Sequence, residues 1–189
     1  MIQEYLRDLP GRLGDLELPG AGDRAVWDGL PDGVRTALIR RGEEYLGYRW
    51  PVMTCGDYLT FSRTGDRSRY EQKCHSRQQA LCALALAECA EHRGRFLDDL
   101  TDGIWFVCEE SGWQLPAHNS YIRDTARPVP DLFACESAAN LSLIRSLLGG
   151  SWTGRPRGCA GAFSGRWTPG WWAPAFGSTF GGWAMGTSR

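Results

Sequence analysis

The segment Ala80–Ala87 constrains the fold most, because it is apolar on almost every side of a predicted helix. That helix is predicted over residues 67–92, with Asp66 as its N-cap and Gly94 as its C-terminal cap. A helix of this composition is buried on most of its faces, so other elements have to surround it. Its small side chains allow the neighbouring helices to approach closely.

The chain up to residue 148 supplies several further helices. Periodicity and capping residues predict them from Pro31-Asp32 to Gly47, after Thr54, from Phe96 to Glu109, and from Asp131 to Leu148. The apolar faces predicted for the last two carry Phe96, Leu97, Leu100, Ile104, Trp105 and Cys108, and Leu132, Phe133, Cys135, Ala139, Leu143, Ile144 and Leu147. No two-residue alternation occurs before residue 149, so we predict an all-α fold of paired antiparallel helices, either a bundle or an α/α toroid.

Composition excludes several classes of function. The 189 residues suit one globular domain, and their net charge of -1 does not predict a nucleic-acid surface. No apolar run is long enough to span a membrane, and Met1–Asp8 lacks the layout of a secretion signal, so we expect a cytoplasmic protein without a membrane partner. The seven cysteines have no metal-binding spacing and are expected to be free thiols. We expect neither a metal nor another cofactor.

Residues 149–189 differ from the rest of the chain. They contain eleven Gly and five Trp, and no Asp, Glu or Lys. All 22 acidic residues and 17 of the 21 basic residues lie in 1–148, which therefore carries a net charge of -5, while 149–189 carries +4. No helical or strand period is present, and so much Gly makes ordering costly in entropy. The sequence predicts a lead-in over 1–26, a helical domain over 27–148 and an irregular Gly/Trp-rich tail over 149–189.

Three explanations of this tail stay open: a Trp-rich binding segment, a disordered tail, and a shift of the reading frame near Gly149. We favour the frameshift, because Gly, Arg, Trp, Pro and Ala are the residues that GC-rich DNA encodes out of frame. The coding DNA tests the hypothesis directly. A stop codon in the shifted frame, or the lack of a helical pattern there, would reject it.

The segment Glu109–Asn119 gathers the groups best suited to chemistry. It places two carboxylates, an indole, an imidazole and a carboxamide at the exit of a helix. His118 and Asn119 are its candidate catalytic residues. Each also has a structural interpretation, His118 as a hydrogen-bonded histidine and Asn119 as a turn residue or N-cap. Tyr58 and Tyr121 are possible phenolic bases, but no sequence pattern places them near His118.

The remaining groups of this segment have stronger structural interpretations. Trp113 either stacks on a sugar ring or anchors the loop in the core, and the second role is favoured. Glu109 and Glu110 lie at a helix C-terminus, where the macrodipole disfavours carboxylates. We therefore expect them to form salt bridges, with the candidate partners Arg63, Arg67 and Arg123.

Short motifs are spread over residues 27–148. They are Trp50, Asp57-Tyr58-Leu59, Arg63-Thr64-Gly65-Asp66-Arg67, Ala87-Glu88-Cys89, Gly94-Arg95-Phe96, Asp102-Gly103-Ile104-Trp105, Glu109-Glu110, Trp113, Leu115-Pro116-Ala117-His118-Asn119 and Asp131-Leu132-Phe133-Ala134. Together they resemble the N-terminal region of heparinase II/III-like proteins, a family that contains polysaccharide lyases. The resemblance implies an α/α toroid, followed in a longer chain by a β-sandwich domain.

The resemblance also implies a reaction, the β-elimination of uronic-acid polysaccharides. This chemistry needs a group that neutralises the substrate carboxylate and a base that removes the neighbouring proton. His118 and Asn119 are then the catalytic candidates, and Trp105, Glu110 and Trp113 are candidates for binding the acidic polysaccharide.

The family's later Tyr and His have no counterpart in this chain. We therefore expect an N-terminal fragment with an incomplete toroid that is inactive alone and leaves Leu81, Leu84 and Leu86 partly uncovered. The alternative function is a stand-alone helical binding or scaffold protein with an aromatic tail. Uncovered leucines of this kind would favour aggregation or partial melting.

Overall fold

A computed structural model describes residues 18–110, 112–118 and 131–152. In chain order its elements are α1 (Arg24–Trp27), α2 (Asp32–Glu43), α3 (Cys55–Thr64), α4 (Ser68–Glu91), α5 (Leu97–Cys108), a 3-10 turn (Pro116–His118), α6 (Leu132–Leu148) and a second 3-10 turn (Gly149–Trp152). No strand occurs within these ranges, which confirms the all-α prediction for this part of the chain. The tail from residue 153 onward lies outside the described residues.

Helix α4 is the centre of the fold. It contacts α2, α3, α5 and α6, and its second half is buried almost completely, as the all-round apolar composition predicted. The expectation of uncovered leucines was wrong for Leu81 and Leu84, which have no exposed surface, and only Leu86 is partly buried. The neighbouring helices cover this face of α4, so it gives no reason to expect aggregation.

The predicted N-caps Thr54 and Asp131 are confirmed, whereas the N-cap of α4 is Arg67, one residue after the predicted Asp66. The Thr54 hydroxyl accepts a hydrogen bond from the Asp57 backbone N–H at 3.1 Å at the start of α3. An Asp131 carboxylate oxygen accepts one from the Ala134 N–H at 2.7 Å at the start of α6. Asp66 accepts a hydrogen bond from the Ser68 N–H at 2.9 Å just before α4. These short polar side chains fix where the helices begin.

The C-terminal end of α4 differs from the prediction. His92, rather than Gly94, adopts the left-handed conformation that ends the helix, with φ of 57°, and its N–H donates to the Glu88 carbonyl. Gly94 lies two residues later, and its N–H donates to the Glu88 carboxylate at 2.7 Å. The same carboxylate accepts a hydrogen bond from the Phe96 N–H at 3.4 Å. A buried acid therefore holds the connection between α4 and α5.

The chain before residue 27 contributes to the packed body. Ala21 and Trp27 belong to the main apolar core. The Ala21 N–H donates to the Leu147 carbonyl at 2.6 Å, and the Trp27 indole N–H donates to the Gly20 carbonyl at 2.9 Å. The last part of the predicted lead-in therefore packs against the end of α6.

Several predicted core residues are on the surface instead. Trp105, Leu132 and Leu143 are 47%, 83% and 41% exposed, and Cys135 is also exposed. The buried positions of α5 are Leu97, Leu100, Gly103, Ile104 and Val107, a stripe on one side of the helix. Trp105 follows Ile104 and lies about 100° around the helix from it, away from that stripe.

The cysteines serve as small side chains. All six that fall in the described ranges are free thiols. Cys74 and Cys89 are buried, whereas Cys55 and Cys135 are exposed. Burial raises the pKa of Cys89 to about 12, so this thiol stays protonated and unreactive at neutral pH.

Gly103 on α5 is required by the close approach of Trp50. A methyl group added at Gly103 would lie 2.2 Å from the Trp50 ring. The Trp50 ring is buried and meets the edge of the Tyr48 ring at a centroid distance of 5.0 Å. The indole therefore has little room to move away.

We predict that Gly103→Ala lowers the free energy of unfolding by roughly 1–3 kcal/mol, because a well-packed core tolerates added volume poorly. The matched control is Gly33→Ala in α2, where an added methyl meets nothing within 4 Å. This control should leave stability unchanged or raise it by up to about 1 kcal/mol, since Ala has the higher helix propensity. Urea denaturation of both variants measures the difference, and equal midpoints would contradict the packing argument.

Asp57 joins α3 to α4. Its carboxylate accepts hydrogen bonds from Lys73 at 2.6 Å, from the Thr54 hydroxyl at 2.6 Å and from Arg69 at 2.9 Å. The side chain is only 5% exposed. The Lys73 ammonium and then the Thr54 hydroxyl hold the pKa of this carboxyl down, from 3.8 to about 2.

The lowered pKa of Asp57 predicts an acid-sensitive contribution to stability. The contribution is complete above pH 3.8 and is lost as the pH falls toward 2, because the folded state favours the carboxylate form. It amounts to at most roughly 2 kcal/mol, and the partial exposure of Lys73 and Arg69 reduces it. Asp57→Asn should therefore be less stable near neutral pH and show a flatter pH dependence in that window. Unfolding curves at several pH values test this, and parallel wild-type and variant profiles would contradict it.

Candidate functional site

The loop 112–118 is anchored in the core at two points. Trp113 is buried, and its indole N–H donates to the Val107 carbonyl at 2.8 Å. Leu115 is buried in a second apolar cluster with Tyr58, Tyr70, Cys74 and Phe133. Trp113 therefore has the core-anchoring position that the sequence favoured, and the loop leaves α5 in a defined direction.

Asp131 holds the far end of this loop. One carboxylate oxygen accepts hydrogen bonds from the Leu115 N–H at 2.9 Å and from His118 Nδ1 at 2.8 Å. The other oxygen caps α6 through the Ala134 N–H. A carboxylate can only accept, so Nδ1 of His118 is the donor in this contact, and in the neutral ring Nε2 then carries the lone pair. The His118 side chain is 33% exposed, so this oriented imidazole is accessible to a ligand.

Helix α3 lies against the Pro116–His118 turn. It carries Tyr58, whose ring meets the Tyr70 ring edge-on at 5.2 Å in the same cluster as Leu115. The structure thus places this phenol in the neighbourhood of the loop, which the sequence did not predict. Tyr58 is only 7% exposed and packs beneath the surface.

Glu110 forms a salt bridge with Arg77 of α4. The pairing of this acid was predicted, but Arg77 was not among the candidate partners, and Arg67 pairs with Glu71 instead. The Arg77 and Glu110 side chains are 4% and 14% exposed. Removing one member of a buried pair leaves the other charge uncompensated, which is costly, so the pair ties the end of α5 firmly to α4.

Polar side chains continue from this ion pair into the interior. The Gln78 amide donates to the Ser137 hydroxyl at 3.0 Å, and Asn140 donates to the Gln78 carbonyl oxygen at 3.2 Å. A cavity of about 10 Å³, comparable in size to one water molecule, is lined by Cys74, Arg77, Gln78, Val107, Glu110, Trp113, Phe133 and Ser137. This network connects α4 to α6 behind the loop.

A larger depression opens on the other side of the Arg77–Glu110 pair. We call it the groove. It has a volume of about 280 Å³ and is lined by Pro51, Val52, Met53, Arg77, Phe106, Glu109 and Glu110. Val52 and Phe106 are 64% and 42% exposed, so its outer walls are apolar and accessible.

The predicted site residues do not form a single cluster in the described part of the chain. Trp113 and Glu110 line the internal cavity, whereas His118 pairs with Asp131 outside that lining. Trp105 is half exposed on α5 beside Phe106. Asn119, the candidate base Tyr121 and the candidate partner Arg123 lie outside the described residues.

Most of the motif residues hold the fold together. Trp50 packs on Gly103, Asp57 joins two helices, Glu88 holds the turn after α4, and Asp131 caps α6. His118 differs from them, because its ring is oriented and partly exposed.

Three residues of the site were missed at the sequence level: Arg77, Phe106, and Asp131 as the partner of His118. A signal for Arg77 was present, because it falls on the buried stripe of α4 that comprises Tyr70, Cys74, Leu81, Leu84 and Glu88. A charged residue on such a stripe indicates a buried partner. No comparable local signal marks Phe106 or the His118–Asp131 contact.

The described ranges contain no group of three or more His, Cys, Asp or Glu side chains arranged to hold a metal ion. Nor does any helix in them combine the length and apolar character needed to cross a membrane.

No protein-family model and no curated protein matches this chain. The relationship to heparinase II/III-like proteins therefore stays a prediction from the motifs.

We predict that Asp131→Ala destabilises the protein by roughly 2–4 kcal/mol, since it removes a helix cap and the acceptor of the Leu115 N–H. Asp131→Asn keeps an acceptor oxygen for the cap and should cost less than half as much. Chemical denaturation of the two variants tests the dual role. A fully stable Asp131→Ala protein would show that the loop is held by other contacts.

Proposed function

We propose that the loop 112–118 is part of the substrate-facing surface of a helical carbohydrate-binding domain of the heparinase II/III-like kind. In this proposal the domain belongs to an α/α toroid, and His118 contacts a uronate residue of an acidic polysaccharide. The proposal rests on the accessible imidazole of His118, whose Nδ1 lies 2.8 Å from a carboxylate oxygen of Asp131.

The chemistry of β-elimination agrees with this arrangement. The reaction removes the proton from the carbon next to the uronate carboxyl group and forms a carbon–carbon double bond. The glycosidic oxygen leaves the adjacent carbon with its bonding electron pair and takes up a proton from a general acid or from water. The Nε2 lone pair of His118 is suited to accept that proton. Once protonated, the same ring is suited to donate a hydrogen bond to the substrate carboxylate. Asn119, the next residue, carries a carboxamide that can also bind a carboxylate.

The other candidates receive different roles in this proposal. Trp113 and Glu110 are positioning residues, since each fixes the segment from which the loop departs. Trp105 remains a candidate platform for a sugar ring, because its indole is half exposed. Tyr58 is buried and is not assigned as a base. A second catalytic group is then supplied by another part of a longer protein, so we expect this chain to bind uronate oligomers without cleaving them.

A stand-alone helical binding protein is the second candidate function. It is favoured by the exposed apolar side chains Val52, Trp105 and Phe106. The two functions differ in what they require of His118, because a protein-binding surface formed by the three apolar residues does not use it. The binding assay below therefore distinguishes them.

We predict that His118→Ala weakens the binding of uronate oligosaccharides at least about tenfold, because the imidazolium form that donates from Nε2 to the uronate carboxylate is lost. Isothermal titration calorimetry with galacturonate and mannuronate tetrasaccharides measures the effect. The matched control is His92→Asn, which replaces an exposed histidine at the C-terminal end of α4, keeps a residue type that tolerates the left-handed conformation and should bind as the wild type does.

The carbohydrate proposal fails if the wild-type chain binds no uronate oligomer. It also fails if the His118→Ala variant binds the oligomer as tightly as the His92→Asn variant does. The same mixtures should show no ultraviolet-absorbing unsaturated product. Cleavage by the chain alone would overturn the expectation of inactivity. The variants His118→Ala and His92→Asn would then test whether His118 takes part in that cleavage.

A further inference from the structure

We infer that the internal cavity behind the loop 112–118 is a binding site for one water molecule, which bonds to Arg77 and joins α4, the end of α5 and α6. The cavity has a volume of about 10 Å³ and is lined by side chains of all three helices and of the segment that follows α5. A space of this size is about the smallest that admits a water molecule, so larger ligands are excluded. The inference does not depend on the function proposed for His118, which is not part of this lining.

Arg77 supplies the donor that requires this ligand. Its side chain is 4% exposed and lines the cavity. One terminal nitrogen of the guanidinium binds Glu110, whereas the Nε–H has no hydrogen-bond acceptor among the described residues. The Nε atom also has almost no accessible surface, so only a group inside the protein can reach it. A guanidinium N–H can only donate, and a buried donor without an acceptor is costly, so a small internal acceptor is favoured here.

Other polar groups around the cavity can complete the hydrogen bonds of the water. The Ser137 hydroxyl accepts a hydrogen bond from the Gln78 amide at 3.0 Å, which leaves its own proton available to donate. The Glu110 carboxylate has further acceptor sites besides the one that Arg77 occupies. A water molecule in this cavity can thus accept from Arg77 and Ser137 and donate to Glu110. Three hydrogen bonds are the usual number for a buried water molecule.

The charge of the lining favours water over an ion. Arg77 and Glu110 neutralise each other, so neither a cation nor an anion meets a net opposite charge from this pair. Val107, Trp113 and Phe133 form apolar walls, which cannot replace the hydration shell that an ion loses on entry. An uncharged water molecule avoids this penalty.

Two measurements on the full chain test the inference. A rotating-frame NOE spectrum of the ¹⁵N-labelled protein should show a cross peak between water and the Arg77 Nε proton, with the sign of a dipolar contact rather than of proton exchange. Relaxation dispersion of the water ¹⁷O nucleus counts long-lived internal water molecules. Val107→Ile should hold one fewer than the wild type, because the substitution enlarges a side chain that lines the cavity.

Val34→Ile is the matched control, since it makes the same change at a residue of α2 that is 47% exposed. It should hold as many water molecules as the wild type. Ser137→Ala tests whether the cross peak is relayed through the exchanging Ser137 hydroxyl. The water keeps Arg77 and Glu110 as partners in this variant, so the cross peak should persist.

The inference is overturned if the wild-type protein shows no cross peak of this sign at the Arg77 Nε proton, or if Ser137→Ala abolishes it. It is also overturned if Val107→Ile and Val34→Ile hold equal numbers of long-lived water molecules. Circular dichroism checks that the variants remain folded. If Val107→Ile does not fold, the cross peaks of the wild type and of Ser137→Ala decide the question.

Discussion

The burial of α4 against its neighbours is the interaction on which the rest of the structure depends. Leu81 and Leu84 are completely buried, and each such side chain contributes roughly 1.5–3 kcal/mol relative to exposure. Small residues determine how near the neighbouring helices come. A methyl group added at Gly42 of α2 would lie 2.2 Å from the Ala87 side chain of α4. The spacing between these two helices is therefore fixed by the absence of a side chain, and the contact could not accommodate a larger residue without moving a helix.

The polar residues on the same buried stripe attach the loop 112–118 to this core. Glu88 holds the connection that leads into α5, and Arg77 binds Glu110 where α5 ends. The loop 112–118 thus starts from a point that α4 fixes, while Asp131 fixes its other end through the cap of α6. The orientation of His118 is therefore a consequence of how two helices begin and end, rather than of the loop alone.

Local signals in the sequence predicted the helices and most of their first residues. Thr54 and Asp131 were recognisable as caps because a cap acts within three residues of itself. The pairing of His118 with Asp131 was not recognisable, since it joins residues 13 apart through a loop whose path no periodicity specifies. Trp105 was misplaced for a related reason. Hydrophobic character marks a residue as a candidate for burial, but the side of the helix that faces α4 decides which candidates are buried.

The distribution of the cysteines gives the molecule its own reporters. Cys55 at the start of α3 and Cys135 in the first turn of α6 are exposed. Helix α3 contacts the turn that carries His118, and the N-cap of α6, Asp131, bonds to His118 itself. Cys74 and Cys89 are sealed inside the core, so reagents reach them only when the helices separate. Spectroscopic labels on the two exposed thiols would follow the opening of the loop, while alkylation of the two buried thiols would record the unfolding of the body.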